Sequence, residues 1–397
     1  MTGAAADWPG VLMVTGAYLP ELSGGGLQCR TMIQALGDRI RFRVLTTCTD
    51  PALSSDDLVE GVPVTRVYVD VARPMTKVLA ALRMVAFFAS HRRSFDVVHL
   101  HGFSQKSVLV ALLARVLGKI LIITIHTAEH DEAEGVRRLG ALAYWCYAHA
   151  DRFVAISPRL AQNYRQAGLP ADRLRVAANG VDTSRFRPAS PAERETLKRE
   201  IGGLPADVRW ILFVGFFSRD KGPDVLFDAW LRLSDACRAS TGLLFVGAHE
   251  SAYHEVEARL ARQIRDGAAA RGLGHLVHFA GLVSRVERVY RAADLFVMPS
   301  AREAFGMVLA EAMASGLPVV ASRIDGVTSD IVEENHSGLL VPPRDAEALA
   351  RAMEGLLADP VRAAEMGAAA RARVVSRYGL EVSTARWLEL YREAGLR

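Results

Sequence analysis

The sequence predicts an α/β protein built from two doubly wound parallel-sheet domains, as its length, composition and hydrophobic pattern indicate. The chain of 397 residues is longer than one ordinary domain and suits two domains of about 150 to 200 residues. Half of the residues are hydrophobic and 23% are charged, which indicates a globular chain rather than a disordered one. Short apolar runs rich in β-branched residues alternate with helical patterns, and this alternation is typical of βαβ units.

Candidate strands fall into two series, one in each half of the chain. They are residues 11–15, 43–46, 97–100, 120–125 and 153–156, and then 210–214, 243–246, 277–279, 295–297 and 318–320. Each series, with helical patterns between its strands, predicts one parallel sheet. A polar, proline-bearing stretch at residues 182–191 separates the two series. We therefore place the first domain at residues 1–187 and the second at 188–376, followed by an amphipathic helix within 377–397.

Composition and charge argue against several classes of protein. A net charge of +4 is slight for this length and does not suggest a nucleic-acid-binding protein. The four cysteines form no C-x-x-C pattern, so we interpret them as buried or idle thiols in a reducing compartment. The amino terminus lacks a basic segment followed by an apolar one, and charges such as Arg83 and Arg115 interrupt the most apolar runs. We therefore expect a cytoplasmic protein without a signal peptide or a membrane-spanning helix.

Residues 299–320 are the most informative stretch of the chain. They place Glu303 in a loop and Glu311 eight residues later, inside the helix that follows. Gly306 stands where that helix should begin, so a ligand can approach the unpaired amides of the first turn without meeting a Cβ atom. Together with the helix dipole, these amides suit a phosphate or a polar sugar. An ordinary amphipathic helix with solvated glutamates explains the same pattern, and the residues alone leave both interpretations open.

This stretch resembles the E-x7-E motif of the retaining family 4 glycosyltransferases, also known as glycosyltransferase group 1. The similarity extends over residues 293–300 on one side and 316–320 on the other. The resemblance implies the GT-B fold, in which two Rossmann-like domains face a cleft and a C-terminal helix packs back on the N-terminal domain. It also implies that the C-terminal domain binds a nucleotide-sugar donor and that the N-terminal domain binds the acceptor.

Two cations, Arg219 and Lys221, lie in the loop that follows the candidate strand ending at Val214. The loop should enter a helix at Pro223, at the edge of the sheet where open α/β folds bind ligands. Cations there can hold a diphosphate and stabilise the negative charge that grows on it as a sugar leaves. Surface loops also carry such residues without any ligand. The family usually has a Gly-Arg pair directly after this strand, whereas here Phe216 follows the glycine and the arginine comes three residues later.

Two glycines, Gly25 and Gly26, lie in a glycine-rich turn between the first candidate strand and a helix. The spacing of the turn is neither G-x-G-x-x-G nor that of the P-loop, which disfavours a nicotinamide enzyme or an NTPase. The resemblance implies that this glycine pair approaches the donor phosphates. A flexible loop without a ligand is the alternative.

The resemblance also assigns the remaining donor-binding positions. Glu311 would take the ribose hydroxyls and Glu303 would orient the sugar, while the backbone around Leu282 would read the nucleobase. The backbone amides that would hold the diphosphate belong to Phe305, Gly306, Met307 and Val308.

Histidines follow two of the candidate strands in the first half. His126 comes directly after residues 120–125, and the family histidine at this place contacts the transferred sugar. The resemblance thus makes His126 a candidate catalytic residue together with Glu303, Arg219 and Lys221. His101 ends another strand and, with Asn179 of an Asn-Gly-Val-Asp turn, is a candidate for the acceptor side. A purely structural role is the alternative for both histidines and for the turn.

A zinc-peptidase pattern, H-x-x-E-H, is satisfied by residues 126–130. That chemistry requires both histidines on one face of a helix, whereas His126 follows a strand-like run. The chain also lacks an Asp-x-Asp motif, the usual metal clamp of the other large glycosyltransferase fold. We therefore expect catalysis that needs neither a metal nor another cofactor.

The resemblance implies a retaining transfer of a sugar from a UDP- or GDP-linked donor to an acceptor hydroxyl. The acceptor would be a sugar, a lipid-linked molecule or a small molecule in glycan, glycolipid or glycoside biosynthesis. A nucleotide-sugar epimerase or isomerase and a non-catalytic nucleotide-sugar-binding protein are the alternatives. Residues 76–93 combine apolar residues with a basic end, which suits peripheral membrane contact. A core helix with a solvated basic end explains that pattern too, and we favour this interpretation.

Overall fold

The computed structural model describes residues 10–21, 23–70, 72–127, 129–202, 204–248 and 256–395. The chain forms two compact units. The first contains the chain up to Gly180 together with the segment from Glu381 onward, and the second contains Val181–Leu380. The two series of predicted strands separate into these two units, as the sequence pattern indicates.

The first unit is built on one mainly parallel sheet. Its strands are β1 (Gly10–Thr15), β2 (Arg41–Cys48), β3 (Asp56–Val59), β4 (Val62–Tyr68), β5 (Val97–His101), β6 (Ile120–Ile125), β7 (Arg152–Ala155) and β8 (Leu174–Val176). They lie in the order β3-β4-β2-β1-β5-β6-β7-β8. Only β3 and β4 pair antiparallel among the described strands of this sheet. The predictions for β1, β2, β5, β6 and β7 are confirmed. The apolar pattern does not predict β3 and β4, because Asp56, Asp57 and Pro63 interrupt it. It does not predict β8 either, because this strand is only three residues long.

The second unit has an entirely parallel sheet in its described part. Its strands are β9 (Arg209–Val214), β10 (Thr241–Val246), β11 (Val277–Gly281), β12 (Leu295–Met298), β13 (Val319–Ser322) and β14 (Leu339–Val341), in the order β11-β10-β9-β12-β13-β14. All five predicted strands are confirmed. The strand pattern does not predict β14, a three-residue edge strand that pairs with β13.

Helices connect the strands in both units, as the βαβ pattern predicts. They are α1 (Gly24–Leu36), α2 (Pro74–His91), α3 (Gln105–Val116), α4 (Ala133–Arg137), α5 (Ala141–Ala148), α6 (Pro158–Gln166), α7 (Pro191–Glu200), α8 (Pro223–Leu231), α9 (Asp235–Ala239), α10 (Ala258–Ala269), α11 (Val286–Ala292), α12 (Met307–Ala314), α13 (Thr328–Ile331), α14 (Ala346–Ala358), α15 (Pro360–Tyr378) and α16 (Leu380–Gly395).

The C-terminal helix α16 belongs to the first unit. It buries Trp387 and Tyr391 in the core that also contains Val11 and Met13 of β1. The Tyr391 hydroxyl lies 2.6 Å from Nδ1 of His99 on β5. An amphipathic helix must bury its apolar face, and here the core of the first unit covers it. The predicted return of this helix to the N-terminal domain is therefore confirmed.

The division between the units lies earlier than the sequence predicts, after Gly180 rather than after residue 187. The backbone N–H of Val181 donates to the Tyr378 carbonyl of α15 at 2.8 Å. Arg185 forms an ion pair of 2.8 Å with Glu287 of α11. Residues 182–191, whose polar composition suggested a linker, thus begin with side chains that are paired within the second unit. The returning segment likewise starts after Leu380, because the preceding residues complete α15.

Helix α2 has two different faces. Met84, Phe87 and Phe88 are buried, as expected of a core helix. The opposite face exposes large apolar side chains, those of Met75, Val78, Leu79, Leu82 and Val85. Among the helices described, none is both long and apolar enough to cross a membrane.

Candidate functional site

Two loops of the second unit meet at the carboxyl ends of the adjacent strands β9 and β12. Nζ of Lys221 in the first loop donates to Oε1 of Glu303 in the second at 2.7 Å. The backbone N–H of Ala301 donates to the Asp220 carbonyl at 2.7 Å, and Arg302 donates to the Asp220 carboxylate at 2.6 Å. The structure thus joins the lysine-glycine loop and the first half of the E-x7-E motif into one polar cluster.

The backbone at Gly222 fixes the position of Lys221. Gly222 has a φ of +69°, and a Cβ atom there would lie 2.6 Å from the Pro299 carbonyl oxygen. Only glycine combines this left-handed conformation with such a close approach. Pro223 then starts α8, as predicted. The loop after β9 is therefore held against the loop after β12 by a packing requirement as well as by the ion pair.

Glu303 accepts two hydrogen bonds on the same oxygen. Besides the Lys221 ammonium, the Ser300 hydroxyl donates to its Oε1 at 2.9 Å. Its side chain is 12% exposed and that of Lys221 is 31% exposed, so a ligand can reach both. An ammonium has three donors, which lets Lys221 bind a ligand while it keeps its bond to Glu303.

Arg219 lies apart from this polar cluster. Its side chain is exposed, and its Nε lies 3.9 Å from the carboxylate of Glu257. Its backbone N–H donates to the same carboxylate at 3.0 Å, and Glu257 also pairs with Arg259. The structure therefore brings Lys221, but not Arg219, into contact with Glu303. The physical reason is the shifted position of the arginine, because the exposed Phe216 occupies the place directly after the glycine.

The helix carrying the second glutamate begins as the sequence predicts. Gly306 has a φ of +96° and precedes α12. Its carbonyl accepts the N–H groups of Leu309 and Ala310. Within the described ranges no residue accepts a hydrogen bond from the amides of Met307 and Val308, which leaves these donors for a ligand. Phe305, by contrast, is buried, and its ring packs edge-on against Tyr378.

Glu311 lies one turn into α12 and is partly buried. The Tyr290 hydroxyl donates to its Oε2 at 2.9 Å. Burial raises the pKa of Glu311 to about 7, although the hydrogen bond from Tyr290 acts in the opposite direction. A carboxylate with this pKa can accept hydroxyl hydrogens at neutral pH and loses that ability in mild acid.

The predicted nucleobase segment is β11 and the residue after it. Gly281 has a φ of +67°, and its carbonyl accepts the N–H of Gly247 at 2.9 Å. Leu282 follows with an exposed side chain. The assignment of Leu282 to nucleobase binding stays a prediction.

In the first unit, the structure brings three of the predicted residues together. Nδ1 of His101 lies 3.0 Å from Nε2 of His126, and the two rings stack with their centroids 5.2 Å apart. Gly25 packs on His101, since a Cβ atom on the glycine would lie 3.5 Å from that of the histidine. His101 ends β5 and His126 follows β6, and these are neighbouring parallel strands.

Gly26 and Asn179 lie in structural contacts of the same unit. A Cβ atom on Gly26 would come within 2.3 Å of the Ala17 carbonyl oxygen, which the loop before α1 does not allow. The Gly26 N–H donates to Oγ of Ser23, the residue that caps α1. Asn179 accepts a hydrogen bond from Gln28 of α1. These contacts account for both residues without a ligand, and their predicted binding roles stay predictions.

Asp131 is a buried residue that the sequence analysis missed. Its Oδ2 accepts the backbone N–H groups of His126 at 3.0 Å and Thr127 at 2.8 Å, while its Oδ1 accepts that of Phe103 at 2.9 Å. It thereby ties together the segments that follow β5 and β6, next to His101 and at His126. Burial raises the pKa of Asp131, although its backbone hydrogen bonds act in the opposite direction. Asp131 directly follows the H-x-x-E-H pattern in the sequence. The pattern does not predict which backbone groups its carboxylate binds.

Burial also determines the charge of the two histidines. It lowers the pKa of His126 to about 4 and the pKa of His101 well below its usual value, so both rings are neutral near pH 7. His126 directly follows strand β6 rather than lying in a helix, as its strand-like flanking sequence predicts. Among the described residues there is no cluster of three or more histidine, cysteine or acidic side chains suited to a metal.

The fold is that of the GT-B class. It has two parallel-sheet α/β units, and the last helix returns to the first unit. The profile described as "Glycosyl transferases group 1" matches residues 194–373, and that described as "Glycosyltransferase Family 4" matches residues 22–185. The chain belongs to this family of glycosyltransferases, and it is a transferase enzyme.

Several known proteins are similar to this chain in sequence. D-inositol 3-phosphate glycosyltransferase of Xylanimonas cellulosilytica is 37% identical over 62% of this chain, and the match spans 58% of that protein's length. The enzyme of the same name from Acidothermus cellulolyticus is 34% identical over 77% of this chain and 72% of its own. Glycogen synthase of Mycobacterium tuberculosis is 28% identical over 96% of this chain and 94% of its own.

Solved structures share the fold over nearly the whole chain. HepE of Anabaena, crystallised with UDP-glucose, has a TM-score of 0.79 at 22% identity, covering 97% of this chain and 100% of its own. Sucrose-phosphate synthase of Thermosynechococcus elongatus has a TM-score of 0.77 at 25% identity, covering 97% and 98%. These similarities confirm the GT-B fold that the E-x7-E resemblance implies.

Proposed function

We propose that this protein transfers a sugar, with retention of anomeric configuration, from a UDP- or GDP-linked donor to an acceptor hydroxyl. The observation that carries the proposal is the Lys221–Glu303 pair in the second unit, in loops that follow adjacent strands. HepE was crystallised with UDP-glucose, which supports a nucleotide-sugar donor and favours uridine as the first base to test.

The diphosphate would bind to the cation and the free amides of the second unit. Lys221 supplies a fixed positive charge, and the amides of Met307 and Val308 point from the first turn of α12. As the sugar leaves, negative charge grows on the terminal phosphate oxygen, and these donors stabilise the transition state more than the ground state. Because protein groups supply this charge, the proposal includes catalysis without a metal or another cofactor.

The two glutamates and His126 would bind hydroxyl groups. Glu311, as a carboxylate, would accept hydrogen bonds from the ribose hydroxyls. Glu303 would accept a hydrogen bond from a hydroxyl of the transferred sugar on a lone pair that Lys221 and Ser300 do not use. His126 would contact the transferred sugar, as the family resemblance implies. The acceptor hydroxyl would attack on the face from which the leaving group departs, and a donor phosphate oxygen would take its proton. The proposed products belong to glycan, glycolipid or glycoside biosynthesis.

Calorimetric titration tests the donor site directly. We would titrate the protein with UDP, GDP, ADP, CMP and NAD, first without and then with magnesium. Binding of one nucleoside diphosphate without metal, weakened in Lys221→Ala and unchanged in Arg232→Ala, is the expected result. Arg232 is a matched control because it is an exposed cation of the same unit that forms a helical ion pair with Asp228. Binding of NAD alone, or a metal requirement for the diphosphate, would overturn the proposal.

Product analysis separates transfer from the alternatives. The donor sugar identified by titration is incubated with and without a mixture of sugar, lipid-linked and small-molecule acceptors. A transferase forms a new glycoside only with an acceptor, and NMR of the product shows the donor's anomeric configuration. An epimerase or isomerase would convert the donor alone, and a binding protein would leave it intact.

We also propose that the protein works in the cytoplasm, where it docks on the inner face of the membrane through the outer face of α2. Five large apolar side chains of this helix are exposed. Residues 72–93 contain five lysine and arginine residues and no acidic residue, namely Arg73, Lys77, Arg83, Arg92 and Arg93. Arg73 is paired with Asp70 at 3.3 Å, and the other four cations carry the positive charge beside the apolar stripe. Such a stripe suits an anionic lipid surface.

Vesicle flotation tests this contact. We expect the protein to float with phosphatidylglycerol vesicles and not with phosphatidylcholine vesicles. The charge reversals Arg92→Glu and Arg93→Glu together should abolish flotation, whereas Arg262→Glu with Arg362→Glu, two exposed positions of the second unit, should not. Equal flotation of both double variants would remove the membrane proposal without affecting the transferase proposal.

A further inference from the structure

Met13 lies beneath the two histidines and makes an unusual contact. Its sulfur, on the buried strand β1, lies 3.4 Å from Nε2 of His101. The other ring nitrogen of His101, Nδ1, lies 3.0 Å from Nε2 of His126. One continuous row of contacts therefore runs from a thioether through His101 to His126.

The direction of the hydrogen bonds in this row follows from the chemistry of sulfur. A thioether has no hydrogen and can only accept, so this contact is a hydrogen bond only when the proton of the neutral His101 ring lies on Nε2. Its Nδ1 then carries a lone pair and must accept. The hydrogen between the two rings therefore comes from Nε2 of His126, and the neutral His126 ring has its lone pair on Nδ1.

Neighbouring groups do not compete for these nitrogens. Asp131 accepts three backbone N–H groups rather than a ring N–H, and both ring nitrogens of His99 are hydrogen-bonded, to Tyr391 and to Thr124. The Tyr391 hydroxyl also lies 3.7 Å from the Met13 sulfur, whose second lone pair can accept it. In the part of the chain that the structure describes, no group donates to Nδ1 of His126, and the residue as a whole is partly buried. Both rings are neutral because burial lowers their pKa values.

We propose that His101 is a positioning residue, which uses the Met13 sulfur to hold His126 in the tautomer whose Nδ1 accepts a hydrogen bond from a sugar hydroxyl. The reversed row would place a hydrogen on Nδ1 of His126 and would turn that acceptor into a donor. The sulfur thus decides which hydrogen-bond role the ring offers to a ligand. The part of this inference that concerns the sugar rests on the proposed transferase function.

The tautomers can be read without any substrate. Long-range proton–nitrogen correlation spectra of the full-length, 15N-histidine-labelled protein at pH 7 distinguish Nε2–H from Nδ1–H rings. His101→Gln and His126→Gln identify the two signals among the 11 histidines of the chain. We expect Nε2–H on both rings in the wild type. Nδ1–H on either ring would overturn the proposal.

Substitutions of Met13 test what holds the row in this direction. Met13→Leu keeps the volume but removes the acceptor, and an unpaired Nε2–H in a buried site is costly. We expect both rings to switch to Nδ1–H in Met13→Leu and to return in Met13→Gln, whose amide oxygen accepts. Met32→Leu is the matched control, because Met32 is buried in the same core and has no hydrogen bond to a histidine in the described structure. Unchanged spectra in Met13→Leu would overturn the proposal.

Kinetics then separate this role from a merely structural one. In Met13→Leu we expect kcat for transfer to fall about tenfold, because Nδ1 of His126 changes from an acceptor into a donor toward the substrate hydroxyl. We expect kcat to recover in Met13→Gln. The nucleotide Kd should stay within about twofold, because Lys221 and Glu311 belong to the other unit. A tautomer switch with unchanged kcat would overturn the positioning role. If the wild type transfers no sugar at all, the transferase proposal fails, and the spectra alone decide the tautomer.

Discussion

The Lys221 ammonium and the Glu303 carboxylate form an ion pair of 2.7 Å between loops that follow two adjacent strands. The pair is partly exposed, so its direct contribution to the free energy of unfolding is small, at most about 1 kcal/mol. Its significance is instead geometric. It holds a cation and a hydroxyl acceptor side by side, which is what binding of a sugar diphosphate requires.

Removing each partner of this pair should affect a different step. Lys221→Ala is expected to weaken nucleoside diphosphate binding by about 10- to 100-fold, because a hydrogen bond to a charged group contributes about 1.5 to 3 kcal/mol. Glu303→Gln should leave nucleotide affinity within a few-fold and reduce transfer instead. Calorimetry and initial rates measure the two effects. Unchanged turnover in Glu303→Gln would remove its proposed sugar role, and unchanged nucleotide affinity in Lys221→Ala would remove the phosphate assignment.

Nucleotide binding should depend on pH through Glu311. The pKa of this residue is raised to about 7 in the folded protein, so below that pH it becomes protonated and can no longer accept two ribose hydroxyls. We expect the nucleotide affinity of the wild type to fall as the pH decreases from 8 to 6. The affinity of Glu311→Gln should be weaker at pH 8 and nearly constant over this range. The same pH dependence in both proteins would assign the titration to another group.

The same pKa shift predicts an effect on stability. Because the folded pKa lies above the value of about 4.5 in the unfolded chain, rising pH between about 4.5 and 7 ionises the unfolded state first and destabilises the folded state. Glu311→Gln removes this cost. It should increase the free energy of unfolding by about 1 to 3 kcal/mol at pH 8 relative to the wild type, and the gain should vanish near pH 4. Urea unfolding at both pH values measures the difference, and a gain that is independent of pH would contradict the prediction.

Gly222→Ala should disturb the donor loop. The left-handed backbone and the 2.6 Å approach to the Pro299 carbonyl leave no room for a methyl group. We expect a loss of about 1 to 3 kcal/mol in the free energy of unfolding and weaker nucleotide binding, because Lys221 moves with the loop. Gly355→Ala is the control, since Gly355 lies in α14 with open space around it, and it should stabilise the protein by about 0.5 to 1 kcal/mol. Equal stability of the two variants would refute the strain argument.

Asp131→Asn tests the loop connection in the first unit. An amide can replace only part of the acceptor capacity of a carboxylate that binds three backbone N–H groups. We expect a loss of about 1 to 3 kcal/mol in the free energy of unfolding and a changed His126 nitrogen spectrum. Asp172→Asn, at an exposed position of the same unit, should change neither. An unaltered His126 signal in Asp131→Asn would mean that Asp131 does not position this histidine.

Much of the donor side could be predicted from the sequence. The E-x7-E spacing, the glycine before α12 and the lysine-glycine pair are local patterns, and each lies where the pattern indicates. Arg219 shows the limit of such patterns. Its distance along the chain from Lys221 is short, yet the loop directs it to Glu257, because a shift of a few residues in a loop changes the direction of the side chain.

Features that depend on neighbours along the chain follow from the sequence alone: the alternation of strands and helices, the two doubly wound halves, the motif around Glu303 and Glu311, and the apolar face of α16. Which distant residues meet depends on the tertiary structure. The row from Met13 through His101 to His126 and the Asp131 bridge join residues on different strands and loops. Hydrophobic periodicity fixes which residues are buried, but the order of strands in the sheet fixes which buried polar groups can reach one another.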